Sequence, residues 1–135
     1  MGLTSAGLDL AAYALVSGNK LALGTNSITP LTPGYRNYQD VTITWSTTPT
    51  GEETAHLSSS GGVLKNYNRF YFNDADDATG GSSTGWGTVT HVMVVTGDSD
   101  RTVLYSGALT GGGVSVPQNT RPKFEAGAFQ LTFTS

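Results

Sequence analysis

The strongest constraint on this chain is a side-chain alternation of period two that never runs far before glycine or proline stops it. In Val41-Thr42-Ile43-Thr44-Trp45-Ser46, Val41, Ile43 and Trp45 share one face while Thr42, Thr44 and Ser46 share the other. That pattern predicts a half-buried strand. Residues 88–96 form the most apolar run and read as a central strand, with Val92 and Val94 on one face and Val89, His91, Met93 and Val95 on the other. The turn Gly97-Asp98-Ser99-Asp100 leads to Thr102-Val103-Leu104-Tyr105, the returning arm of a hairpin. Val114-Ser115-Val116 stops at Pro117, and Phe129, Leu131 and Phe133 align on one face of a last strand.

Upstream, Leu21-Ala22-Leu23 reads as a first strand, residues 53–57 as a short one, and residues 58–62 as a break. In residues 63–72, Leu64, Phe70 and Phe72 point one way and Tyr67 and Tyr71 the other. Residues 73–87 read as a long polar loop. One helical segment precedes all of this. Ser5 is its expected cap, Leu8, Ala11, Ala12, Leu15 and Val16 make an apolar stripe, and Gly18-Asn19 stops it near residue 17. The expected fold is therefore all-β: an antiparallel β-sandwich or jelly roll of seven to eight short strands, with a short N-terminal helix.

At 135 residues the chain makes one domain, 1–135. Its 37% hydrophobic content implies a thin core that partner subunits help complete. Only 13% of residues are charged and the net charge is -3, with Lys20, Arg36, Lys65, Arg69, Arg101, Arg121 and Lys123 scattered singly. Phosphate backbones attract concentrated cations, so nucleic acid is not an expected partner. No cysteine is present, which excludes disulfides, Cys-ligated zinc and a thiol nucleophile. No run approaches the roughly 20 apolar residues of a membrane helix, and the first residues lack the pattern of a signal peptide.

Sites for chemistry are sparse. Asn73-Asp74-Ala75-Asp76-Asp77 offers closely spaced oxygen ligands for calcium. Counted from Asp74, the EF-hand positions fall on Ala78, Thr79 and Gly85, so a solvated acidic loop is expected. Asp98 and Asp100 read as turn formers. His56 and His91 are the only histidines, and their spacing gives no reason for them to meet at a metal. Ser59, His56 and Asp77 make a triad only on paper, without a nucleophile elbow. No enzyme activity and no cofactor is expected. The rings of Tyr35, Tyr38, Tyr67, Tyr71 and Trp86 are candidate interface anchors, or stacking surfaces for a carbohydrate, with core packing the competing reading for each.

Three blocks in the C-terminal half carry a resemblance: Trp86-Gly87-Thr88-Val89-Thr90-His91, Leu104-Tyr105-Ser106-Gly107-Ala108-Leu109-Thr110, and Phe124-Glu125-Ala126-Gly127-Ala128-Phe129-Gln130-Leu131-Thr132-Phe133. Leu21-Ala22-Leu23-Gly24-Thr25, Gly34-Tyr35-Arg36 and Val41-Thr42-Ile43-Thr44-Trp45 extend it upstream. Together they resemble small structural proteins of tailed bacteriophages, of the tail-fibre, minor virion or capsid-decoration kind. Where such proteins have a longer glycine-rich insertion, only residues 26–33 stand here. The resemblance implies a virion component, on the capsid surface or tail, assembled in the host cytoplasm, with other phage capsid or tail proteins as partners. It carries over no catalytic residue. The expected form is a homotrimeric decoration or cement protein. The alternative is a tail-fibre or tail-tip module that binds a host receptor or surface glycan.

Overall fold

The computed structural model describes residues 2–48, 50–75 and 85–134. The fold is mostly β with one helix near its start, α1 (Ser5–Val16). The Thr4 side chain caps α1, accepting from the Gly7 amide at 3.2 Å, so the cap falls one residue before the expected Ser5. Gly18, at φ +73°, and a bond from Asn19 Nδ2 to the Leu15 carbonyl close the other end. Ala12 and Val16 are fully buried and Leu15 packs beside them, as the apolar stripe predicts.

Eleven short strands follow among the described residues: β1 (Lys20–Gly24), β2 (Val41–Trp45), β3 (Ala55–Ser60), β4 (Val63–Asn66), β5 (Phe70–Tyr71), β6 (Gly87–Val89), β7 (His91–Val95), β8 (Val103–Ala108), β9 (Val114–Val116), β10 (Lys123–Phe124) and β11 (Gln130–Thr132). Seven of them form one sheet in the order β11-β4-β3-β2-β1-β7-β8, curled but not fully closed. The pairs β5–β10 and β6–β9 are separate. The expected seven or eight strands thus become eleven. The expected all-antiparallel pairing fails at one seam, because β2 and β3 run parallel.

Two local corrections have clear causes. The run 88–96 is not one strand. Thr90 leaves the ladder, with its amide bonded to the Gly24 carbonyl, so β6 pairs with β9 and β7 with β1 and β8. The interruption resets the alternation. Val89 packs in the main core with Val92 and Val94, while Met93 and Val95 join Ala22 and Val103 in a small cluster of their own. Residues 58–62 are not a break either. Ser58, Ser59 and Ser60 continue β3, and only Gly61-Gly62 turns the hairpin into β4. Both glycines have positive φ, 64° and 87°, as a tight two-residue turn requires. A Cβ on Gly62 would sit 3.0 Å from Leu8 Cδ1 and 3.1 Å from the Phe133 carbonyl oxygen, so a side chain there would have to push its neighbours aside.

β1, β2, β9 and β11 form where the alternation predicts them, and the strand expected at 53–57 falls at Ala55–Ser60. The run 63–72 splits into β4 and β5, and most of the expected polar loop 73–87 lies outside the described residues. β2 buries Val41 and Ile43 and exposes Thr42 and Thr44. β7 and β8 form the hairpin. The core gathers rings from distant segments, with Phe70 stacked on Phe124 at 5.1 Å and Tyr38 edge-on to Trp86 at 5.1 Å. Each fully buried large side chain contributes roughly 1.5–3 kcal/mol.

Candidate assembly interface

The five rings singled out from the sequence divide sharply. Tyr38 is 0% exposed and Trp86 3%, so both belong to the core and neither can anchor a surface contact in this fold. Their polar ends are satisfied internally. Tyr38 Oη donates to Asp40 Oδ1 at 2.7 Å and accepts from the Leu23 amide at 2.9 Å; Trp86 Nε1 donates to the Arg36 carbonyl at 2.9 Å. Burial, reinforced by the Asp40 carboxylate, pushes the Tyr38 hydroxyl far above the usual tyrosine range, which keeps it a donor. No sequence signal separated these two rings from the exposed ones, because neither lies in a clear alternating run.

Tyr35, Tyr67 and Tyr71 reach the surface, each beside a cation. Arg36 lies 5.1 Å from the Tyr35 ring centre and Lys65 5.3 Å from that of Tyr67. Tyr71 has both Arg121, at 4.7 Å, and Arg69, at 5.7 Å. These arginines are in turn paired with Glu53 and Glu52. Such rings already interact with cations across their faces, which leaves less bare π-surface for a sugar to stack on.

The residues weighed for metal or catalytic chemistry are spread through the structure. His56 is buried with Nε2 3.1 Å from the Thr50 carbonyl, and His91 Nδ1 sits 2.8 Å from Thr90 Oγ1. Ser59 donates to Asp9 and not to His56. Asp74 is exposed, its carbonyl accepting from Asn37 Nδ2, while Asp76 and Asp77 lie outside the described residues. No group of three or more metal-ligating side chains occurs among the described residues. Between β8 and the segment leading into β11 lie two adjoining clefts, of about 290 and 340 Å³, that share Leu109, Thr110, Phe124 and Ala128. Lys123 is the single charged side chain in their walls.

The feature that sequence reading missed is the outer side of α1. The helix contains one charged residue, Asp9, in a segment otherwise made of Leu, Ala, Val, Tyr, Gly and Ser. A helix apolar all round is normally covered all round. Here one side meets the sheet, yet Leu10 is 70% exposed, Tyr13 45% and, just before the helix, Leu3 55%. Leu3, Ala6, Leu10 and Tyr13 are spaced three, four and three apart, which sets them along one stripe. The Trp45 ring at the end of β2 meets Tyr13 edge-on at 5.1 Å and extends the stripe onto the sheet. The spacing of Leu3, Ala6, Leu10 and Tyr13 was available in the sequence. Only the docked helix shows that it faces outward.

Asp9 does not break the stripe. Its carboxylate turns to the β3–β4 hairpin, accepting from Ser59 Oγ and from the Gly62 and Gly61 amides at 2.8 and 3.3 Å. No family model matches this chain, and no curated protein and no solved structure shows significant similarity to it. The stripe and its surroundings must therefore be read on their own chemistry.

The bonds from Ser59 and then Gly62 hold the Asp9 carboxyl below the usual carboxylate range. Its folded pKa lies under its unfolded one. The stabilisation is therefore complete at higher pH and is lost as the pH falls through the folded value, below about pH 4. Amide exchange within α1 should accelerate in that window as the helix loosens from the hairpin. In Asp9→Asn that local acid step should be absent. Asp98, held down by Thr96 at the β7–β8 turn, shifts in the same sense, so the readout must be confined to α1.

Proposed function

We propose that this chain is a structural subunit of a tailed-phage virion, a homotrimeric capsid decoration protein that stabilises the particle by self-association and by binding the assembled shell. The curled sheet with its two small accessory sheets is read, at finer grain, as a jelly-roll-like sandwich. The sequence blocks that resemble phage structural proteins give the biological setting. One observation carries the physical part: the uncharged, exposed stripe of α1, for which water is the wrong neighbour.

The mechanism is mass action. A subunit that binds the assembled particle better than its separate parts shifts the equilibrium toward the particle, by an amount set by free subunit concentration over Kd. Sister contacts add avidity, because copies already seated on one shell meet at high effective concentration. The competing tail-fibre reading leans on exposed rings for sugar stacking, and the cations beside Tyr35, Tyr67 and Tyr71 weaken it.

Sedimentation of the purified chain is expected to give a trimer that Leu10→Glu converts to monomer. Since Leu10 is largely exposed, the change should leave unfolding within about 0.5 kcal/mol of the parent. Incubation with purified capsids, tails and host cells then separates the settings. Retention on capsids is the expected result, whereas retention on cells alone would transfer the protein to the fibre tip.

A further inference from the structure

The large sheet ends in two open edges, β11 and β8, and the two adjoining clefts of about 290 and 340 Å³ lie where its curl stays open between β8 and the segment entering β11. The β8 edge is the longer, six residues against three. Its hydrogen-bonding sense can be read from its ends. The Leu109 amide donates to the Thr90 carbonyl and the Thr96 amide to the Thr102 carbonyl, and one register shift at Val94–Val95 reconciles the two. Tyr105, Gly107 and Leu109 therefore turn their amides and carbonyls toward β7, while Ser106 and Ala108 turn theirs to the free side. Among the described residues, neither finds a backbone partner there. Such edges are normally blunted by a charge, a proline or a covering segment. Val103-Leu104-Tyr105-Ser106-Gly107-Ala108 contains no charge and no proline, and the register shift sits at the end away from Ala108.

We propose that this edge receives an extended segment of a different protein, added as an eighth strand beside β8, uncharged and alternating apolar residues with serine or threonine. Each part of that description comes from the edge itself. A row of unpaired amides and carbonyls is matched by another extended backbone and not by a helix. On one face of β8, Tyr105, Gly107 and Leu109 border the cleft walled by Val92, Phe124 and Phe129, so apolar side chains of the added strand drop there. On the other face, Ser106 Oγ is buried and has no hydrogen-bond partner. A hydroxyl on the residue opposite gives that orphan its bond, as cross-strand Ser–Thr pairs do. The walls carry no uncompensated charge, because the Lys123 ammonium lies 3.2 Å from Glu125 Oε2. A charged residue would therefore enter without a counter-ion. The docking uses neither α1 nor a sister copy, so it stands or falls apart from the trimer proposed above.

The probe is the full chain extended at its C-terminus by a flexible glycine-serine linker and a strand of alternating valine and threonine, which presents such a segment at high effective concentration. Amide hydrogen exchange at Ser106 and Ala108 is the readout. It is expected to be fast in the parent and at least about tenfold slower in the extended chain. Ala108→Pro removes one outward amide, a change tolerated on a strand edge. In the extended chain it should abolish the slowing at Ser106 while the fold persists. Unchanged exchange at both amides, or equal slowing by an extension with lysine in place of valine, would overturn the proposal. Slow exchange in the parent that deepens with protein concentration would also overturn it, by giving the edge to a second copy.

Discussion

Asp40→Ala is expected to destabilise the fold by about 3–5 kcal/mol, the range for removing one partner of a buried ion pair. Arg101 grips Asp40 with two bonds, Nε to Oδ2 and Nη2 to Oδ1, each 2.8 Å, and the Asp40 side chain is only 5% exposed. The same carboxylate accepts from Tyr38 Oη, and Arg101 Nη2 also reaches the Leu31 carbonyl. Alanine would leave a guanidinium and a phenol without their acceptor in one stroke. Against a typical domain stability of 5–15 kcal/mol the loss is severe, and it corresponds to a fall in Tm of roughly 10–20 °C. Asp40→Asn, which keeps acceptor and shape while discarding the charge, should cost clearly less. Thermal unfolding of the pair by circular dichroism checks both, and equal losses would show that the charge carries the whole effect and a neutral acceptor none of it.

Asn66→Ala is the second large effect, at about 3 kcal/mol, arising chiefly from orphaned backbone groups. Asn66 Nδ2 donates to the Asn68 carbonyl at 2.7 Å and to the Glu125 carbonyl at 2.9 Å, while its Oδ1 accepts from the Phe129 amide at 2.9 Å. Buried groups stripped of a partner cost about 1–3 kcal/mol each, reduced where the site relaxes toward water. Asn66→Asp retains the acceptor for Phe129 but faces two carbonyls with a carboxylate, so it should be no better than alanine. Equilibrium urea unfolding measures these differences. A loss under 1 kcal/mol for alanine would mean that water takes over the amide's role.

Those two sites also mark where sequence reading stopped. The helix, β1, β2, the β7–β8 hairpin, β9 and β11 were legible because each shows its period within a few residues. Residues 64–72 carry a strict alternation too, with Leu64, Asn66, Asn68, Phe70 and Phe72 all buried. Two of the five inward residues are amides, so hydrophobicity alone could not reveal the pattern. Their long-range partners lie in residues 51–56 and 125–129, far away in sequence. The β2–β3 parallel seam and the reset at Thr90 are likewise set by pairing between distant segments. The five rings divided between core and surface. Tyr38 and Trp86 went inside, while the stripe that faces water is built around a leucine in a helix whose inner side had seemed sufficient reason for its apolar residues.

The bond from the Phe129 amide to Asn66 spans 63 positions of chain, and that from Arg101 to Asp40 spans 61. Closures of that length cannot form early, since the loop must be gathered before any contact rewards it. The hairpins β3–β4 and β7–β8 are therefore candidates to form first, with the joining of β11 to β4 a late event. Maturation should run on the millisecond-to-second scale of non-local β topologies. A newly made copy would thus pass through an interval in which the β3–β4 hairpin already holds α1 through Asp9 while the outer edge of β4 still waits for its last neighbour.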